Sequence, residues 1–183
     1  MKFGYIDVAK KREFWRELGE KKSGAFSIKH YASMSLESLQ LNFKYNGIEV
    51  EFTESDTQPL KVKFSHPTTM KFEVSISIED IIDKTIKLLG ANREIQVGDA
   101  VFDASYLIRG EDDYVVRKFL SREIRDLMLE TKVFAINCTR NRKTEKVDFI
   151  LTVNRQIMDY EGLLKVYQLI CLIIDQFKEI RII

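Results

Sequence analysis

The chain has 183 residues, 45% of them hydrophobic, and carries 29 basic against 28 acidic side chains for a net charge of +1. A chain of this length buries roughly 70% of its unfolded surface, so it needs neither a metal nor a disulfide framework to fold. The charge balance excludes a global field for nucleic acid or an anionic membrane while leaving room for a local patch. The expectation is a single α+β domain over 1–183, with 1–90 and 91–183 as candidate sub-lobes.

The N-terminus is broken by Asp7, Lys10, Lys11 and Arg12, so it lacks the apolar core of a signal peptide. Residues 7–20 read as a short helix with Phe14, Trp15 and Leu18 on one stripe. Glu13, Glu17 and Glu20 interrupt its positive charge, which favours packing on a sheet through Trp15 over lying on a membrane.

Residues 36–78 alternate. Leu39, Leu41, Phe43 and Tyr45 precede Asn46-Gly47, and Ile48, Val50 and Phe52 follow it. Asn-Gly favours a two-residue hairpin turn, since both central residues need positive φ. That turn pairs Tyr45 with Ile48, Phe43 with Val50 and Leu41 with Phe52, all on one face. Leu60, Val62 and Phe64 make a third strand and Phe72, Val74 and Ile76 a fourth, giving a four-stranded antiparallel meander with one buried face.

A helix is expected over 78–89, capped by Ser77 and closed by Gly90. Residues 101–109 read as a strand, broken by the acidic run 110–113, which opens a helix because a helix N-terminus favours negative charge. Residues 114–120 and 122–130 read as two short helices, or one bent at Ser121, and 133–139 with 146–153 as a second hairpin. A long final helix spans 159–180. Its apolar face is widened by Val166, Leu169 and Ile173, so broadly that one sheet face does not cover it. Val166, Leu169, Ile173 and Ile180 are therefore the candidate interface of a homodimer, with the N-terminal helix as the competing cover. The longest apolar stretch, 163–174, contains Lys165 and Gln168 and is too short to span a bilayer, so no membrane span is expected and a cytoplasmic location is the default.

The segment 90–129 carries Gly90, Ile95, Gly98, Asp99, Phe102, Asp103, Ile108, Gly110, Ile124 and Arg125 in an Ile-x-x-Gly-Asp, Phe-Asp, Ile-x-Gly, Ile-Arg-x-Leu order. In this it resembles a family of uncharacterised bacterial proteins, a domain of unknown function. Weaker likeness reaches Trp15, 57–64 and the C-terminal helix. Where that family has Lys or Asn in the strand-end turn, this chain has Arg109 and Glu111. The resemblance implies a whole-domain fold and supplies no activity.

Chemistry is sparse. The histidines are His30 and His66 and the cysteines Cys138 and Cys171, without nucleophile context or zinc-ligand spacing. Both thiols are read as reduced, apolar residues. No phosphate-cradling loop, dinucleotide turn or His-Glu-x-x-His occurs. Asp99 and Asp103 are the candidate acidic site, four residues apart around a turn, suited to a hard cation or acid–base work; turn and backbone bonding by Asp is the favoured reading of both. The basic loop with Arg140, Arg142, Lys143 and Lys146 lacks interleaved aromatics, so no nucleic acid is expected. Tyr31, Tyr45, Phe52 and Tyr106 are candidates to line a pocket. No catalytic residue, cofactor or metal is assigned. The leading functional reading is a non-enzymatic protein-interaction domain, self-associating in one version. The alternatives are a small-molecule or lipid-binding domain with a sheet–helix cavity, and a metal-dependent enzyme using Asp99 and Asp103.

Overall fold

The computed structural model describes residues 8–31, 36–68, 70–78, 94–141, 143–153 and 156–183. Among these, eight strands and five helices follow one another: α1 (Val8–Lys21), β1 (Ala25–Tyr31), β2 (Leu36–Tyr45), β3 (Ile48–Ser55), β4 (Lys61–Pro67), β5 (Val74–Ile78), α2 (Ala100–Asp103), β6 (Tyr106–Gly110), α3 (Asp113–Phe119), α4 (Arg122–Thr131), β7 (Val133–Asn141), β8 (Lys146–Val153) and α5 (Tyr160–Glu179). The chain is α+β. Its strands form one antiparallel sheet in the order β1-β2-β3-β4-β8-β7-β5-β6.

Period-two alternation built this sheet, because it gives each strand one apolar face. Tyr45 pairs with Ile48, Phe43 with Val50 and Leu41 with Phe52, as the hairpin reading required. Asn46 and Gly47 take φ of 50° and 86°, the positive values that a tight hairpin turn demands. Helix α5 clamps this turn: Tyr45 Oη and Asn46 Nδ2 donate to the two carboxylate oxygens of Asp175, and Lys178 Nζ donates to the Asn46 carbonyl.

Two expectations are corrected. The meander ends after β4, since β4 pairs with β8 and β5 lies between β7 and β6. Alternation specifies which face of a strand is buried and says nothing about which strand lies beside it. The stretch 101–109 is not one strand, because Asp99 caps the short helix α2 before β6 begins. The expected helix 78–89 and its closing Gly90 lie outside the described residues.

The five helices pack on one face of the sheet. Asp112 caps α3 through the Tyr114 and Val115 amides, Ser121 caps α4 through Ile124, and Asp159 caps α5 through Gly162. Phe177 of α5 is the hub of the layer between. Its ring centroid lies 5.0 Å from Phe119, 5.7 Å from Phe72, 5.9 Å from Phe149 and 6.1 Å from Phe64. Aromatic contacts of this kind contribute about 0.5–1.5 kcal/mol each beyond area burial.

Candidate functional site

The acidic pair stands at the start of α2, and the backbone there uses it fully. Gly98, at φ 80°, turns the chain so that Asp103 reaches back to it. Asp103 accepts the Val97 N–H on Oδ1 at 2.9 Å, and those of Gly98 and Asp99 on Oδ2 at 2.9 and 3.1 Å. Asp99 Oδ1 accepts the Val101 and Phe102 amides, and its Oδ2 accepts Arg125 Nε at 3.1 Å. The Phe102 amide and the Arg125 guanidinium hold the Asp99 carboxyl below its ordinary range. All four oxygens are engaged by a turn, a helix cap and a tie to α4. Ile95, Phe102, Ile108 and Ile124 are buried around this unit, so much of the 90–129 pattern describes one structural knot.

The C-terminal stripe is not a surface. Val166, Leu169 and Ile173 are 0% exposed, and Ile180 is half-buried against the core. Helix α1 covers one flank of α5, where Lys21 and Lys22 stand over the rings of Tyr160 and Tyr167. Helix α4 covers another, tied by Lys165 Nζ to Glu130 at 2.7 Å. The sequence argument counted only the sheet and α1 as covers; α3 and α4 had no visible direction from their own pattern.

Of the four pocket aromatics, Phe52 and Tyr106 are likewise absorbed, Tyr45 is half-buried in its bond to Asp175, and the side chain of Tyr31 lies outside what is described. Phe52 is 0% exposed, and Tyr106 is buried with its hydroxyl donating to the Met128 and Val133 carbonyls. Burial pushes the Tyr106 hydroxyl up to about 12. Both cysteines are free; burial pushes the Cys138 thiol up strongly and the half-buried Cys171 thiol up as well, so neither is a poised nucleophile. His66 Nδ1 donates to the neighbouring Pro67 carbonyl oxygen. Arg140 and Lys146 sit at the exposed end of the β7–β8 hairpin, and Arg142 lies outside the described residues. Among the described residues, no cluster of three or more His, Cys, Asp or Glu side chains is placed to hold a metal.

What sequence reasoning missed lies on the other face of the sheet. Register places Ser27, Gln40, Thr53, Lys61, Thr152, Ala135, Ser77 and Leu107 in one row across all eight strands. A second row runs Ala25, Asn42, Glu51, Lys63, Ile150, Asn137, Ser75 and Arg109. At the usual strand spacing each row is about 34 Å long. Half of these side chains are hydroxyls or amides and a quarter are charged, so the face is a largely polar track with two adjoining grooves. One, about 240 Å³, lies over β1–β4 and includes Lys29, Gln40, Glu51, Thr53, Lys61 and Lys63. The other, about 420 Å³, continues over β8, β7 and β5 past Thr152, Asn137, Ser75 and Ser77. Gln58, Pro59 and Lys61 border both. A bulge between Val133 and Ala135 sets Phe134 beside the second groove, an aromatic ring at the edge of the track. The polar half of each strand's alternation was legible, but the row that those halves make depends on strand order.

One charged pair lies inside the core side. Lys11 Nζ of α1 meets Glu54 Oε1 of β3 at 2.9 Å, with both residues buried. Glu54 Oε1 also accepts the Ile157 N–H at 3.0 Å, while its Oε2 is buried without a partner among the described residues. Desolvation raises the Glu54 carboxyl above its ordinary value, with Lys11 opposing. Beside it, Arg12 forks onto the Glu37 carboxylate.

No family model matches this sequence, and no curated protein matches it. Among solved structures the chain is similar to the crystal structure of the mycobacterial trehalose monomycolate transport factor A. That likeness has a TM-score of 0.55 at 9% identity and covers 91% of this chain and 94% of the other. It shows a shared fold. Among the described residues, no helix is long and apolar enough to cross a membrane.

Proposed function

We propose that this chain is a non-enzymatic binding domain whose working surface is the outer face of its sheet, the face on which none of the described helices packs. One observation carries the reading: two in-register polar rows cross all eight strands and hold two adjoining grooves. The groups that would otherwise suggest catalysis have other work, since Asp99 and Asp103 bond backbone amides and the thiols are held protonated by burial. The similar structure is that of a transport factor; at 9% identity its role lends the binding reading only an analogy of fold.

The test is site-directed photo-crosslinking in the cells that produce the protein. A photoreactive side chain at Thr53, Ser77 or Thr152 is expected to capture a discrete adduct, while the same group at Glu13 or Glu20, exposed on α1, captures none. Adducts confined to α1 would overturn the proposal.

A further inference from the structure

The charge and chemistry of the outer face narrow its ligand. The smaller groove brings three ammonium groups, Lys29, Lys61 and Lys63, to the carboxylate of Glu51; Glu54 also borders it, its own carboxylate paired with Lys11. Lys61 and Lys63 stand two residues apart on the same face of β4, about 7 Å along the strand. Glu51 faces Lys63 directly across β3 and β4, yet no ion pair forms between them, and Glu51 Oε2 instead accepts Gln40 Nε2 at 2.6 Å. Gln40 is 7% exposed, so this amide fixes the carboxylate from within the sheet. Among the described residues, the ammonium groups of Lys29, Lys61 and Lys63 have no carboxylate partner. The chain as a whole is nearly neutral, so this is a local concentration of positive charge.

A bare anion would use the lysines and leave Glu51, Thr53 and the hydroxyl and amide groups of the second groove unused. A ligand that also carries hydroxyl groups would donate to Glu51 and exchange hydrogen bonds with Thr53, Thr152, Ser75, Ser77 and Asn137 along the track. Phe134 offers its ring to the apolar face of such a ligand.

We infer that the two grooves form one site for a small phosphorylated saccharide, its phosphate held by Lys61 and Lys63 and its hydroxyls by Glu51 and the hydroxyl and amide side chains that follow. Lys29 closes the far wall and adds to the field. This rests on the outer face being the working surface. Lysine–phosphate contacts are charge-assisted and also dominate the salt dependence of binding.

An amide NMR titration of the whole chain tests it, with glucose 6-phosphate, glucose and inorganic phosphate as separate probes. Glucose 6-phosphate is expected to give saturable shifts at Thr53, Lys61, Lys63 and Thr152. Glucose and phosphate alone are expected to bind at least about tenfold more weakly, as is glucose 6-phosphate to Lys61→Gln/Lys63→Gln, whose dispersed spectrum would report an intact fold. The inference is overturned if glucose 6-phosphate leaves those amides unmoved at millimolar concentration. Equal binding by the double variant overturns it too, and phosphate binding as tightly as the sugar phosphate removes the saccharide from it. If crosslinks map to the outer face while the titration stays silent, the ligand class fails and the surface reading stands. If the crosslinks fail as well, both fall.

Discussion

Replacing Lys11 by Met would leave the Glu54 carboxylate buried with the Ile157 amide as its remaining partner. Removing one member of a buried ion pair costs about 3–5 kcal/mol, because the other charge is left uncompensated. A domain of this kind is stable by only about 5–15 kcal/mol, so the single variant loses a large part of its margin. With a urea slope of roughly 2 kcal/mol per molar, the unfolding midpoint falls by about 2 M. Lys11→Met/Glu54→Gln removes both charges and retains an amide oxygen for Ile157. It should return to within about 1 kcal/mol of the parent, since neutral replacement of a buried pair is often tolerated. The pH dependence has a definite sign. The folded-state value of Glu54 is raised, so its favourable contribution is complete below the unfolded carboxyl value and is lost as pH rises through the folded one. In Lys11→Met the opposing influence of Lys11 is gone and the value rises further, so the deficit is small in acid and grows towards neutral pH. Trp15, the sole tryptophan and fully buried one helical turn beyond Lys11, supplies the fluorescence signal. A deficit below about 1 kcal/mol at neutral pH, or one independent of pH, would refute the claim that an uncompensated buried charge is what the lysine prevents.

Four further outcomes follow from the same geometry. Gly47→Val should cost more than about 1 kcal/mol by thermal unfolding, because a β-branched residue resists φ 86° although no atom lies near the added Cβ. The Asp99 carboxyl is held below its ordinary value, so its contribution is present above the unfolded carboxyl value and lost as pH falls through the folded one; Asp99→Asn should flatten that acid limb in a stability-versus-pH series. Ile173→Asp should unfold the chain, by about 4 kcal/mol or more, with circular dichroism lost; a folded variant of altered mass in light scattering would instead return the α5 stripe to the surface. Iodoacetamide should reach half-buried Cys171 before Cys138, which mass spectrometry should find unmodified until urea unfolds the chain.

Local rules in the sequence determined the β2–β3 hairpin, the β7–β8 hairpin and the long α5 helix, because each depends on contacts between residues close in the chain. Asn46-Gly47 with matched alternation fixes a register without reference to anything distant, and the apolar width of α5 announces deep burial. The turn role favoured for Asp99 and Asp103 was also local, since their backbone partners lie within six residues. Strand order, in contrast, is a decision between segments far apart. Lys61 pairs across to Thr152 and Ser75 to Asn137, and no property of either strand alone prefers that neighbour. The same holds for what covers Val166, Leu169 and Ile173, which the sequence left open between a second copy and the N-terminal helix and which the fold buries within the chain. The polar rows and their grooves belong to this second class. Each strand carries its hydroxyls and lysines openly in the sequence, but a track across eight strands exists only once antiparallel pairing has put β8 and β7 between β4 and β5.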